Sequence, residues 1–254
     1  MACPKASALL AGEYLCHFWD YDRSEYIQGK LARKASSIGR TYAKISLSWV
    51  KRYIVPEIGS MKLSELKPGQ IERILVKLKT DAKLNPRTIN YVLQSIKVPL
   101  TEAHRLGLIS VNPTSTIKRF GVSTREKGIL TSQEVRQLFE LSWPDPVAKL
   151  AFKVAVTGGL RLGEVQALTI QAIKEDHLVV AHSYSQVDGF KGTKTNRIRY
   201  VPLPASLLDE LRALHACNAS GTDWVFWSPT KPKVPLGSHK LDAGLQGFCA
   251  HWDR

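Results

Sequence analysis

The stretch AVTGGLRLGEVQAL, residues 155–168, constrains the fold more than any other part of the chain. An apolar run over residues 150–156 leads into Gly158 and Gly159, and a second apolar run follows directly. A helix that stops at a glycine pair and starts again at once forms a tight elbow. We predict that Arg161, at this elbow, is largely buried. Because an unpaired buried charge is costly, an anionic group should meet it.

Glu164 is one candidate for that group, since it lies three residues on and on the same side of the new helix. Most pairs with this spacing are structural salt bridges. The pattern TGGLRLGE as a whole, residues 157–164, closely resembles the first catalytic box of the tyrosine recombinases, the phage integrase family. The resemblance implies that Arg161 binds the scissile phosphate and that Glu164 has a supporting role.

Positive charge is concentrated in one part of the chain. The formal net charge is +14, and residues 26–119 hold 18 Lys and Arg against five Asp and Glu. The flanking segments are close to balance, at −2 for residues 1–25 and +3 for residues 120–254. A basic block beside a near-neutral one is typical of a DNA-gripping module attached to another domain. We therefore expect double-stranded DNA as the partner.

The basic block reads as a bundle of three or four amphipathic helices. One helix is predicted over residues 40–55, a second opens at Pro68, and a third opens at Pro86. The lysines could be no more than the solvated surface of this bundle. The order of elements in GSMKLSELKPGQIERILVKL and PRTINYVLQSIKVPLTEAHRLGLISVNP, however, resembles the core-binding domain of tyrosine recombinases. That resemblance implies a clamp that holds DNA largely through its phosphates.

The predicted fold is mainly α with a small antiparallel β-sheet, in two domains. A polar stretch without periodicity separates them and reads as a linker. TSQE at residues 131–134 predicts a capping box at the start of the second domain. The expected divisions are an N-terminal lead-in (1–25), a helical core-binding domain (26–119), a linker (120–127) and a truncated tyrosine recombinase catalytic domain (128–254).

A β-hairpin is predicted after the elbow. Residues 177–181 read as a strand, and residues 183–203 read as a hairpin that turns at Lys194, Thr195 and Asn196. An isolated lysine in a turn is usually solvated. The segment GTKTNRIRYVPL, residues 192–203, nevertheless resembles the lysine-bearing hairpin of tyrosine recombinases. The resemblance implies that Lys194 protonates the leaving 5′-oxygen.

The rest of the family's catalytic set is not found. The resemblance calls for an H-x-x-R box and a nucleophilic tyrosine near the C-terminus, but no tyrosine follows Tyr200. His251 and Arg254 spell H-x-x-R, and we interpret this as coincidence because they fall on the helix that precedes the second box in the family. Tyr184 and Tyr200 both lie in the β region, away from the expected position. We predict a truncated recombinase that binds DNA and is inactive in cleavage.

Three alternatives stay open. The chain could be a non-catalytic DNA-binding factor that competes for recombination sites, or a partner could supply the tyrosine in trans. A metal-dependent nuclease is the third, although the sequence has no Asp, Glu and His cluster with ligand spacing.

Composition narrows the remaining expectations. The four cysteines lack zinc-site spacing, and no segment resembles a signal peptide or a transmembrane helix. We expect a cytoplasmic protein without a metal, membrane contact or small-molecule substrate. The resemblance further implies that no nucleotide cofactor is needed and that protomers can form a homo-oligomer on paired sites.

Overall fold

The computed structural model describes residues 9–34, 38–123, 128–193, 197–231, 233–237 and 239–241. The chain divides into two compact units, an N-terminal unit (Met1–Glu126) and a C-terminal unit (Lys127–Arg254). The described residues are mainly helical and include two small antiparallel sheets. The predicted fold class, mainly α with a small antiparallel β-sheet, is therefore confirmed.

The N-terminal unit is a helical bundle. Its main helices are α1 (Ala11–Phe18), α2 (Glu25–Arg33), α3 (Arg40–Trp49), α4 (Val55–Ile58), α5 (Pro68–Thr80) and α6 (Pro86–Arg105). Pro68 and Pro86 occupy the first turns of α5 and α6, as predicted, because a proline lacks the N–H that this position leaves unbonded. The apolar stripes of these two helices form much of the core, namely Ile71, Ile74, Leu75, Leu78, Ile89, Val92, Leu93, Ile96 and Leu100.

The helix predicted over residues 40–55 is longer and less regular than the sequence suggests. A π-helical turn, Val50–Ile54, follows α3 and leads into α4. The amide of Val55 donates to the carbonyl of Val50, five residues earlier. Pro56, which has no N–H, then lies in the first turn of α4, so the chain continues to Gly59. The sequence predicts that the helix ends before Pro56, but the wider π-helical turn allows the helical path to continue past this proline.

The described part of the predicted lead-in (1–25) packs into the core of this unit. Leu15 is fully buried and Trp19 is 1% exposed. The indole Nε1 of Trp19 donates to the carbonyl of Ser95 at 2.7 Å. Pro99 cannot make the usual helical bond to that carbonyl, so the indole takes its place.

Tyr14 makes a second polar contact at the same part of α6. Its hydroxyl donates to the carbonyl of Pro99 at 3.0 Å. Burial, reinforced by the charges of Glu102 and Glu25, raises the pKa of the Tyr14 hydroxyl well above its usual range. The phenol therefore stays protonated and remains a hydrogen-bond donor at neutral pH.

A side-chain clasp holds the chain where it leaves the bundle. The amide of Asn90 donates to the carbonyl of Phe120 at 2.9 Å and accepts from its backbone N–H at 2.8 Å. The ammonium group of Lys79, on α5, lies 5.6 Å from the centroid of the Phe120 ring. Phe120, predicted as the first residue of a linker, is thus fixed to the bundle.

Asn90→Leu should release this clasp. We expect a loss of about 1–2 kcal/mol in the free energy of unfolding, because two hydrogen bonds to partly buried backbone groups disappear. Faster hydrogen exchange at the Phe120 amide would report the release directly. Asn90→Asp is the companion variant, since it keeps the acceptor for the Phe120 amide but replaces the donor by a charged oxygen that repels the Phe120 carbonyl. Unchanged exchange at Phe120 in Asn90→Leu would contradict the clasp.

In the described residues, the C-terminal unit combines helices with four short strands. Its elements are α7 (Ser132–Glu140), α8 (Pro146–Gly158), α9 (Leu162–Gln166), β1 (His177–Val180), β2 (His182–Ser185), β3 (Gly189–Gly192), β4 (Arg199–Pro202) and α10 (Ala205–Ala216). The capping box predicted at residues 131–134 is confirmed, with Thr131 and Glu134 bonded reciprocally at the start of α7. A buried segment that includes Val225 and Phe226 completes the core.

The strands pair differently from the predicted hairpin. β1 pairs antiparallel with β4, with Val180 opposite Arg199, and β2 pairs antiparallel with β3, with Ser185 opposite Gly189. The tight turn between β2 and β3 lies at residues 186–188. The turn predicted at Lys194, Thr195 and Asn196 lies outside the described residues. The segments on either side of it, β3 and β4, pair with β2 and β1 and not with each other, because β-forming residues do not reveal which strand each segment pairs with.

No helix of the described ranges is long and apolar enough to cross a membrane. The sequence also predicts a weak helix over residues 239–252, interrupted by glycines, and residues 242–254 lie outside the described residues.

Candidate functional site

Arg161 lies at the elbow that the sequence predicted. α8 ends at Gly158, and Gly159 adopts the left-handed conformation at φ 60°, which favours glycine. Arg161 is the N-cap residue of α9. Its side chain is 62% exposed, so the prediction that it is largely buried was wrong. The exposed side chain can instead reach a partner outside the protein.

Glu164 is the buried member of the pair. Its side chain is 2% exposed, and its Oε1 accepts from the Arg161 guanidinium at 3.0 Å. Its Oε2 accepts from the backbone N–H of Arg161 at 3.0 Å and also from the guanidinium of Arg199. Charged donors thus bond to both oxygens, which offsets the cost of burying the carboxylate.

Arg199 is a site residue that sequence reasoning missed. It belongs to β4 and is 38% exposed at the side chain. Alternation along a strand places residues 199 and 201 on one face, and Val201 lies against the elbow, within 3.1 Å of a Cβ built on Gly158. The signal was present in the GTKTNRIRYVPL segment, but only the pairing of β4 with β1 brings Arg199 to Glu164.

Tight packing fixes the helix that carries Glu164. A Cβ built on Gly163 would lie 2.6 Å from the Ser183 hydroxyl and 2.8 Å from the carbonyl oxygen of Tyr184. α9 therefore approaches β2 more closely than any side chain at this position would allow. At the other end, the buried amide of Gln166 donates to the carbonyl of Leu236 at 2.7 Å.

The other residues of the predicted set are placed only in part. Lys194 lies outside the described residues, as do His251 and Arg254. The residues that flank the lysine segment are joined, because the Thr193 hydroxyl donates to the carbonyl of Arg197 at 3.2 Å. The structure thus brings together Arg161 and Glu164 and adds Arg199.

The two tyrosines of the β region have aromatic partners. The Tyr200 ring lies edge-on to His177 at 5.6 Å between centroids, and the Tyr184 ring lies edge-on to Trp224 at 6.2 Å. Tyr200 also alternates with Arg199 along β4, so its side chain leaves the strand on the opposite face.

The site is suited to an anion. Two guanidinium groups share one carboxylate, so the group keeps a net positive charge, and each guanidinium has more donors than its bond to Glu164 uses. A planar guanidinium matches two oxygens of a phosphate. Within the described ranges, no three His, Cys, Asp or Glu side chains lie together as a possible metal site.

The N-terminal unit offers a second region of positive charge. Of its 18 lysines and arginines between residues 26 and 119, four form ion pairs with carboxylates of the described residues: Arg40, Lys62, Lys77 and Arg105. Most of the positive charge of this unit is therefore left uncompensated within the described part of the chain.

Residues 129–251 match the family model of the phage integrase family. They form a phage integrase domain. This domain contains the elbow, Glu164 and Arg199, so the resemblance predicted from TGGLRLGE is confirmed for these residues. None of the curated protein sequences matches the chain.

Solved integrase structures resemble a larger part of the chain. A Tn1549 transposon integrase in complex with circular intermediate DNA matches with a TM-score of 0.66 at 14% identity, over 93% of this chain and 79% of that one. A lambda integrase tetramer bound to a Holliday junction matches with a TM-score of 0.67 at 16% identity, over 94% of this chain and 66% of that one. A lambda integrase dimer bound to a COC′ core site matches with a TM-score of 0.64 at 16% identity, over 93% of this chain and 61% of that one. At these identities the likeness establishes the fold, which extends beyond the integrase domain.

Proposed function

We propose that this chain is a recombinase-like protein that binds duplex DNA. The observation that carries the proposal is the Glu164-centred pair of arginines inside the phage integrase domain. In this proposal Arg161 bonds to nonbridging oxygens of the scissile phosphate, and Glu164 holds the guanidinium in place. Lys194 holds the position of the proton donor for the leaving 5′-oxygen.

The charge distribution supports different roles for the two units, with DNA-backbone binding in the N-terminal unit and contact with the scissile phosphate in the C-terminal unit. Residues 26–119 act as the core-binding domain and grip the phosphate backbone through their uncompensated lysines and arginines. Residues 120–127, the first of which is held to the bundle by Asn90, act as the linker, and residues 128–254 act as the catalytic domain. The solved relatives are described as integrases bound to DNA, two of them as a dimer and a tetramer. We extend both properties to this chain, with homo-oligomers on paired sites.

We further propose that these 254 residues bind DNA without cleaving it. Transfer of a phosphoryl group to the protein needs a nucleophile in line with the leaving oxygen. Tyr200 leaves β4 on the face opposite to Arg199, Tyr184 lies edge-on to Trp224, and no later tyrosine occurs within these 254 residues. The chain would then act as a DNA-binding factor that competes with active recombinases for their sites.

The salt dependence of DNA affinity tests the binding proposal. With six to ten phosphate contacts, the affinity should fall by about 10³–10⁵ between 50 and 200 mM salt, because bound counterions are released from the DNA. Fluorescence anisotropy with a labelled duplex measures this slope. An affinity that hardly changes with salt would contradict the clamp.

A suicide substrate tests the cleavage proposal separately. A nicked duplex traps any 3′-phosphotyrosine adduct, which is visible as a band of lower mobility on a denaturing gel. We expect DNA protection in footprinting and no adduct. An adduct formed by this chain alone would overturn the non-cleaving proposal, and an adduct formed only with a second protein would identify complementation in trans.

A further inference from the structure

The arrangement around Glu164 assigns a role to Arg199. Building on the proposed function, we propose that Arg199 supplies a second guanidinium to the phosphate that Arg161 binds. Arg199 is then a phosphate-contacting residue and more than a structural partner of Glu164.

The first support is that both arginines meet on one carboxylate. Oε1 of Glu164 accepts from Nη1 of Arg161, and Oε2 accepts from Nη2 of Arg199. The two oxygens belong to the same carboxylate, so the two guanidinium groups are neighbours. A single anion that approaches the pair from solvent can bond to both.

The second support is the charge balance. Glu164 neutralises one of the two arginines, and the described residues provide no second carboxylate to either guanidinium. A purely structural pair would need only one arginine. The excess positive charge lies on side chains that are 62% and 38% exposed, while the carboxylate between them is buried. The positive side of the cluster therefore faces outward, where a phosphate can approach.

The third support is that both arginines are attached to fixed elements. Arg161 caps α9, which packs tightly on β2 through Gly163. Arg199 is paired with Val180 in the β1–β4 ladder. Donors that are already held in position lose little freedom when the ligand binds, which favours tight contact with one phosphate.

DNA affinity of single and double variants tests the assignment in the full chain. We expect Arg161→Ala and Arg199→Ala each to weaken binding about tenfold, the effect of losing a charged hydrogen bond. The double variant should fall short of about a hundredfold, because residues that bond to the same group are not additive. Arg212→Ala is the matched control, since it removes the same charge from α10, where Asp209 pairs with the guanidinium. It should leave the affinity unchanged.

Arg199→Gln, studied by both DNA affinity and thermal unfolding, distinguishes a phosphate-binding role of Arg199 from a purely structural one. Gln keeps a hydrogen-bond donor for Glu164 but loses the charge, so it should fold and still bind DNA less tightly. If Arg199→Ala and Arg199→Gln keep the affinity of the unmodified chain and lower only the melting temperature, Arg199 is a structural partner and the assignment is overturned. If the unmodified chain itself does not bind DNA, the proposed function fails first, and the two failures remain distinct.

Discussion

Trp19→Ala should lower the free energy of unfolding of the N-terminal unit by about 3–5 kcal/mol, the range for removing a large buried aromatic side chain. Trp19 is 1% exposed and packs among Phe18 and Tyr42. Its loss also leaves the Ser95 carbonyl without a partner, since Pro99 cannot donate to it. Urea denaturation, followed by hydrogen exchange of the α6 amides, measures the loss.

Trp19→Phe separates the loss of buried apolar packing from the loss of the hydrogen bond to the Ser95 carbonyl. Phenylalanine fills much of the same space but has no indole N–H, so we expect a smaller loss of about 1–3 kcal/mol from the unsatisfied carbonyl. Pro99→Ala in the Trp19→Phe background restores a helical N–H for Ser95 and should recover part of the stability. A change under about 1 kcal/mol in Trp19→Ala would mean that the N-terminal segment is not part of the core.

Glu164→Leu should have the second largest effect, at about 2–3 kcal/mol in the free energy of unfolding of the integrase domain. The variant removes a carboxylate that accepts three hydrogen bonds from charged or backbone donors. Breaking a fully buried ion pair costs about 3–5 kcal/mol, but here both guanidinium groups already reach water and can be rehydrated. DNA affinity should fall as well, because Arg161 and Arg199 lose their common anchor.

Glu164→Gln is the control that keeps the size and shape of the Glu164 side chain while removing its charge. The amide keeps the volume of the side chain and one acceptor oxygen, so its effect on unfolding should be smaller than that of leucine. Chemical denaturation and anisotropy on the same samples give both quantities. If leucine is tolerated without loss of stability, the carboxylate does not hold the elbow together.

Local signals in the sequence predicted much of this fold. Pro68 and Pro86 mark the starts of α5 and α6, and Thr131 and Glu134 form the predicted capping box of α7. Each of these features could be predicted because it depends on residues within one helical turn of each other. The elbow at Gly159 follows from the same kind of short-range chemistry. The phage integrase resemblance was also carried by short contiguous segments, above all TGGLRLGE and GTKTNRIRYVPL.

Contacts between distant segments could not be predicted in this way. Glu164 and Arg199 are 35 residues apart in sequence and meet only because β4 pairs with β1. A pattern of β-forming residues favours a strand but does not choose its partner. The sequence also could not tell which member of the Arg161 and Glu164 pair is buried, since that depends on how α9 packs on β2.

The attachments of α1 also bear on the order in which the N-terminal unit folds. The amide of Gly12 donates to the carbonyl of Gly59, and Trp19 donates to Ser95, 76 residues away. During synthesis α1 leaves the ribosome long before α6, and its contacts with that helix must wait until the helix is made. Contacts with this sequence separation slow folding, because a long loop must close before they form. The hydrogen bonds of Tyr14 and Trp19 to α6 therefore form last, so a nascent chain that has not yet completed α6 lacks both of these attachments of its N-terminal helix.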